Sequence, residues 1–195
     1  PDDSGDRLLD GKPVDIKHPR YAIRMGIGMI PENRRRDSFI PRLSVKENIT
    51  LASLPWINKY GWIDKKVENS MAVKYKDLLN IKTPNLNQFV RNLSGGNQQK
   101  VCLGKWLARN PVLLMLDEPT RGIDVGAKAE IHKIIEDLAK EGLAVIMISS
   151  ELPEILGVTD NIVVMHEGIL TGRYKTEEAT QEKLMFSATA SEIAS

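Results

Sequence analysis

The stretch Leu113-Leu114-Met115-Leu116-Asp117-Glu118-Pro119 runs four apolar residues into two adjacent carboxylates and a proline. A continuous apolar run, here Val112 to Leu116, reads as a strand buried on both faces. The carboxylates then stand at its carboxyl end, the edge at which open α/β sheets bind ligands. One acid there can hold Mg²⁺, and a second can orient or deprotonate an attacking water. Taken alone, the stretch reads equally well as a strand ending in a solvated acidic turn.

Upstream, Leu93-Ser94-Gly95-Gly96-Asn97-Gln98-Gln99-Lys100 leads into a helix expected from about Asn97 to Arg109, ended by Asn110-Pro111. Ser-Gly-Gly before a helix leaves backbone N–H groups unobstructed at the positive end of the helix dipole. The serine hydroxyl adds a donor, so the site prefers a phosphate. By itself a plain N-cap explains these residues more simply. Downstream, Ala127, Ile131, Ile134, Ile135 and Leu138 follow helical spacing from about Gly126 to Lys140, and Gly142 stops the helix. Leu143 to Ile148 reads as a second buried strand, followed by a short helix from Pro153 to Gly157. A hairpin is expected from Ile162–Met165 and Ile169–Tyr174, joined at Glu167-Gly168, with a last helix over about Glu177 to Phe186 and a fraying Ala/Ser-rich tail. Strand and helix alternate between residues 97 and 165, which implies a parallel sheet with crossover helices.

Toward the amino terminus, residues 8 to 16 read as extended with a turn at Asp10-Gly11, and Ile27 to Ile30 as a short strand stopped by Pro31. Strand-like runs then vanish. Prolines at 41, 55 and 84 punctuate helical stretches such as Val45–Leu54 and Asp64–Asn80, so residues 42–92 form a helical subdomain inserted in the α/β body. The start, from Pro1, has no signal pattern and no initiator Met, which suggests a chain cut from something longer.

Composition excludes several functions. Of 195 residues, 42% are apolar and 27% charged, enough side chain for a core and too much for disorder. The balance of 27 basic against 26 acidic residues leaves a net charge of +1, with no global pull toward nucleic acid or anionic lipid. Aromatics at 5% are a poor supply of stacking platforms. The longest apolar runs fall far short of the roughly 20 residues a membrane span needs. The single cysteine, Cys102, excludes an internal disulfide and suits a reducing compartment.

Together, Ser-Gly-Gly-x-Gln, a helix, an apolar strand, Asp-Glu-Pro-Thr and then Gly122-Ile123-Asp124 resemble the ATP-binding-cassette (ABC) ATPases. Leu93 to Gln98 matches that family's signature motif, Leu113 to Glu118 its Walker B, and Gly122 to Asp124 its D-loop. The segments Pro31–Asp37, Ser44–Asn48, Asn97–Lys100 and Thr120–Lys128 narrow the likeness further. They are similar to the C-terminal cassette of the double-headed ATPase of bacterial monosaccharide importers, for ribose, galactose, xylose and similar sugars. The resemblance implies a P-loop NTPase-like cassette over residues 1–195, incomplete at its amino terminus. It implies ATP and Mg²⁺ as ligands, Asp117 on the metal, Glu118 as catalytic base, and Ser94, Gly95, Gly96, Gln98 and Asp124 facing nucleotide. It implies as partners a companion cassette in the same polypeptide, a transmembrane permease and an extracytoplasmic sugar-binding protein, with the chain peripheral at the cytoplasmic face of the cell membrane.

Departures qualify the resemblance. No Gly-x4-Gly-Lys-Ser/Thr phosphate loop occurs in the chain, so by itself it is expected to be inactive. The family's Q-loop glutamine aligns with Glu32, and its switch histidine with Ser150, which cannot reach as far or carry charge. The site built on this half is therefore expected to be degenerate, and its signature intact, so that this half chiefly serves the companion's ATP. Two other readings are a non-transport ABC protein acting on ribosomes or DNA, and a nucleoside importer ATPase. The first suits poorly a segment 42–92 without sustained heptads; the second tends to lose the Asp-Glu pair that is intact here. A binding-only half whose ATP is never cleaved is a third; Glu118 argues for retained chemistry, Glu32 and Ser150 against it. Arg34-Arg35-Arg36 reads as an exposed loop rather than a nucleic-acid patch. His18, His132 and His166 lack metal-ligand spacing and read as surface or turn residues, and Cys102 as a packed core thiol. Trp56 and Trp62 cap the helical subdomain or face the permease, two readings of equal weight.

Overall fold

The computed structural model describes residues 5–189. Strands β1 (Leu8–Leu9) and β2 (Lys12–Pro13) form a short hairpin about Asp10-Gly11, both at positive φ. Helix α1 (Pro19–Arg24) is capped by His18 and enters β3 (Ile27–Ile30). After a wide turn over Arg34–Ser38 comes α2 (Val45–Thr50), opened by a capping box in which Ser44 and Glu47 satisfy each other's backbone N–H. A 3₁₀ turn at Leu51–Ser53 runs into α3 (Leu54–Ile57), the hairpin of β4 (Asn58–Lys59) and β5 (Trp62–Ile63), and α4 (Lys65–Leu78), which Asp64 caps. Then follow α5 (Gly95–Leu107), β6 (Leu113–Asp117), α6 (Val125–Lys140), β7 (Ala144–Ile148) and α7 (Leu152–Val158). The chain closes with the antiparallel pair β8 (Asn161–His166) and β9 (Ile169–Lys175), turned at Glu167-Gly168, and α8 (Gln181–Thr189). The tail from residue 190 lies outside the described residues.

The central sheet is parallel, in the order β3-β6-β7, with Ile27, Leu113 and Ala144 in register at one end and Asp117 beside Ile148 at the other. That order advances in one direction, so right-handed crossovers put their helices on one face. Leu114 and Leu116 on that face are fully buried, in one core with Val101, Leu103, Ile131 and Ile135 of α5 and α6. Helices α2 and α4 pack on the far side of α5, adding Val45, Ile49, Tyr75 and Leu79 to the same core. Gly28 permits the close approach of α5, since a Cβ there would lie 3.1 Å from the Trp106 ring. Cys102 is buried, as expected, and burial pushes its thiol up to about 11, leaving it inert.

Three expectations are corrected. The apolar strands are not buried on both faces. Met29 (43% exposed), Ile146 (48%) and Ile148 (51%) point away from the helices, with half-buried Met115 between Met29 and Ile146 in the register. Within residues 5–189 the helices cover one face of the sheet. Second, α5 begins at Gly95 rather than Asn97, because Ser94 is its N-cap. Third, Arg34 is not part of an exposed loop: it is buried, its guanidinium donating to the carbonyls of Arg121 (2.5 Å) and Gly122 (3.1 Å).

Met29, Met115, Ile146 and Ile148 make one continuous apolar face, which drives association when left in water. The isolated 195-residue chain is expected to form concentration-dependent oligomers by light scattering, and the pair Met29→Lys/Ile146→Lys to shift it toward monomer. A sharp wild-type monomer across a wide concentration range would contradict this.

Candidate functional site

Because the strands are parallel, their carboxyl ends deliver residues 31–34, 117–124 and 148–151 to one edge. Asp117 is the last residue of β6 and Glu118 the first beyond it, held in the left-handed region at φ +47. Its conformation is fixed from both sides. The Glu118 N–H donates to Ile148 O at 2.8 Å, and the Ser150 N–H donates to Glu118 Oε1, also at 2.8 Å. So the structure brings Asp117, Glu118 and Ser150 together, through the Ser150 backbone. Glu32 lies across from them as the ion-pair partner of Arg121, in a cleft of about 450 Å³ that Arg34 and Gly122 also line.

The second group sits at the start of α5. Ser94 Oγ accepts from Asn97 Nδ2 at 2.9 Å and from the Asn97 N–H at 3.5 Å, so its own hydrogen stays available to a ligand. The first-turn amides of Gly95 and Gly96 have no partner within the helix. Ser94, Gly96 and Asn97 share a cleft of about 230 Å³ with Asp124, Gly126 and Lys82. Asp124 caps α6, accepting from the Ala127 N–H at 2.9 Å. In the wall of the same cleft, Lys100 Nζ meets Glu130 at 2.6 Å and the Asn80 carbonyl at 3.1 Å; this lysine holds the Glu130 carboxyl below the usual carboxylate range.

The two glycines also serve packing, which the sequence did not disclose. A Cβ at Gly95 would come within 2.9 Å of Arg34 Nη2, and one at Gly96 within 2.5 Å of Ala127 Cβ. The start of α5 is thereby seated against the 121–124 turn and the first turn of α6. Gln98, expected among the ligand-facing residues, is instead turned inward. Its amide donates to the carbonyls of Val90 and Leu93 and braces the loop before Ser94.

A further cluster escaped sequence reading. The Glu154 carboxylate is 2% exposed and accepts from Thr120 Oγ1 (2.8 Å), His132 Nε2 (2.6 Å) and Ser149 Oγ. His132 is thus no ordinary surface histidine. Since an ionised carboxylate only accepts, Nε2 carries its proton. Glu154 reads from sequence as a first-turn acid of a short helix, and nothing in the chain order links it to position 132. Among the described residues no group of three or more His, Cys, Asp or Glu could hold a metal ion alone. Asp117 with Glu118 suits Mg²⁺ that brings its own phosphate ligands.

Burial pushes the Glu154 carboxyl up, but the hydrogen bonds from Ser149, His132 and Thr120 outweigh this and hold it below the usual range. Charge-assisted hydrogen bonds contribute about 1.5–3 kcal/mol each, against a burial cost of several kcal/mol per ion.

The profile for ABC transporters matches residues 1–121. The chain is 48% identical over 189 residues to the ribose import ATP-binding protein RbsA of Bacillus licheniformis, covering 97% of this chain and 38% of that protein. It is 50% identical over 186 residues to the putative ribose/galactose/methyl galactoside import ATP-binding protein 1 of Agrobacterium fabrum, covering 95% and 37%. The chain thus spans less than two fifths of the length of these curated relatives. Among solved structures, the dimeric post-hydrolysis state of the ATP-binding cassette MJ0796 bound to ADP and Pi superposes with a TM-score of 0.73 at 21% identity, over 89% of this chain and 74% of that one. This likeness shows a shared fold.

A carboxyl whose folded pKa is lowered stabilises the fold fully above the ordinary glutamate range, about 4.3, and that contribution is lost as pH falls through the range to the lower folded value. Urea unfolding at pH 7 and pH 4 is expected to show a smaller acid loss in Glu154→Gln than in wild type. Equal acid losses would contradict the assignment.

Proposed function

The chain belongs to the ABC transporter family, and from that premise we propose that it is one nucleotide-binding cassette of an ATP-driven monosaccharide importer. In this reading its main task is to present Ser94, Gly95 and Gly96 to the ATP held by a companion cassette in the same polypeptide. Two features support it. The cleft at the start of α5 gathers a free hydroxyl hydrogen, first-turn amides and the Asp124 turn at the surface. Both relatives described above are named as sugar import ATP-binding proteins.

The observation that carries the reading is that cleft. A helix start with unpaired N–H groups and a hydroxyl donor attracts a phosphate. In the paired state the γ-phosphate of the companion's ATP sits against these donors, and closure buries it from water. Opening and closing of the pair then moves a transmembrane permease fed by an extracytoplasmic sugar-binding protein, with the cassette at the cytoplasmic face of the membrane.

The half-site on this chain's own carboxylates is the weaker of the two. Glu118 is the candidate base, and Asp117 is placed to hold Mg²⁺ together with the nucleotide's phosphates. When bound, that ion offsets charge building on the phosphoryl oxygens. Glu32 is engaged with Arg121, and Ser150, which aligns with the family's switch histidine, offers only a short uncharged hydroxyl.

Ser94→Asp separates function from folding. Aspartate caps a helix as well as serine does and suits its dipole, yet it opposes an incoming phosphate. In the polypeptide that carries this chain, Ser94→Asp is expected to bind ATP within about twofold of wild type and to lose hydrolysis and uptake by a factor on the order of 10² to 10³. Ser94→Asn, an uncharged cap, is expected to lose less. Near-normal hydrolysis in Ser94→Asp, or abolished nucleotide binding, would overturn the reading.

A further inference from the structure

We infer that Glu154 is a positioning residue that binds the Glu118 turn and the Asp124 turn into one rigid body. The inference rests on the function proposed above and names a residue that the nucleotide does not touch.

Among the described residues the buried carboxylate has no lysine or arginine partner, an arrangement that stability alone does not favour over an apolar side chain. Glu154 lies in the first turn of α7, yet its oxygens do not serve that helix. They collect side chains from three other places: Thr120 in the turn after β6, His132 on α6, and Ser149 at the end of β7.

Each of these is one short step from a functional group. Thr120 follows Glu118-Pro119, so its hydroxyl anchors the turn that sets the left-handed Glu118 backbone. Ser149 precedes Ser150, whose N–H holds the Glu118 carboxylate. His132 lies two turns along the helix that Asp124 caps. A second tie between the same segments, Lys128 to Glu151 at 2.7 Å, is partly exposed and contributes less. Glu154 therefore links the part of the chain around its own candidate base to the turn beside the Ser94 cleft. A shift at one is passed to the other because both are fastened to one carboxylate.

The test uses the full-length polypeptide and two readouts, hydrogen–deuterium exchange and steady-state ATP hydrolysis. Glu154→Ala leaves two hydroxyls and an imidazole without their acceptor. It is expected to raise exchange together in peptides spanning 118–124 and 148–154, to lower kcat at least fivefold, and to leave KM for ATP within twofold. Glu154→Gln keeps an acceptor for Thr120 and His132 and offers its amide to Ser149 Oγ, so it is expected to stay within twofold of wild type in both readouts. Thr120→Val, which removes one hydroxyl and keeps the shape, is expected to reproduce part of the fall in kcat. Exchange raised throughout the chain with Glu154→Gln equally impaired would reduce Glu154 to a general stabiliser and overturn the inference. So would local exchange with kcat unchanged, or KM rising in step with the loss of kcat. Ser94→Asp in the same assay separates the two levels: if it hydrolyses ATP normally the proposed function fails, and if only Glu154→Ala does, this inference alone fails.

Discussion

Parallel pairing of β3, β6 and β7 in a single direction is the constraint on which the rest of the molecule depends. It sends three strand ends to one edge and both crossover helices to one face. The edge receives Glu32, the Asp117-Glu118 pair and Ser149-Ser150, which no local sequence rule would bring together. The face receives α5, already clamped from behind by α2 and α4, so the helix that begins at the Ser94 cleft is buried along most of its length. A helix start held this firmly keeps its donors fixed relative to the neighbouring 121–124 turn, and preorganised donors act on charge without first reorganising.

Two buried charges do the fastening. Arg34 reaches from the end of β3 to the carbonyls of Arg121 and Gly122, and its Nη2 fills the space where Gly95 lacks a side chain. Burial lowers the tendency of its guanidinium to hold a proton. Glu154 does the corresponding work on the other side of the 120–124 turn. The turn is gripped by a cation through its backbone and by an anion through its threonine. Lys105 adds a third buried tie, donating from α5 to the Ser38 carbonyl with its ammonium pKa lowered by burial.

Sequence reading reached the elements that announce themselves locally. Ile27–Ile30, the helix capped by Asp64 and the hairpin turned at Glu167-Gly168 fall where periodicity and turn residues place them. The positions of Ser94 before a helix and of Asp117-Glu118 at a strand's carboxyl end were legible from local pattern, whereas Asp124 was reached only through the family resemblance and its capping of α6 was not foreseen. What stayed hidden depends on contacts across 22 to 88 positions: Glu154 with His132 and Thr120, and Arg34 with Gly122. Gln98 misled for the opposite reason. A polar residue in a phosphate-binding pattern looks outward, whereas the carbonyls of Val90 and Leu93 needed its donors inside.

The central claim is that the start of α5 forms one wall of a nucleotide site whose other wall lies on a companion cassette. The most direct measurement is a cryo-electron-microscopy structure of the full-length polypeptide trapped with ADP, Mg²⁺ and vanadate. The account predicts vanadate within hydrogen-bonding distance of Ser94 Oγ and the Gly96 N–H, with the ADP phosphates cradled by the companion. Trapped nucleotide with no contact to residues 94–97, or held wholly by this chain, would contradict it.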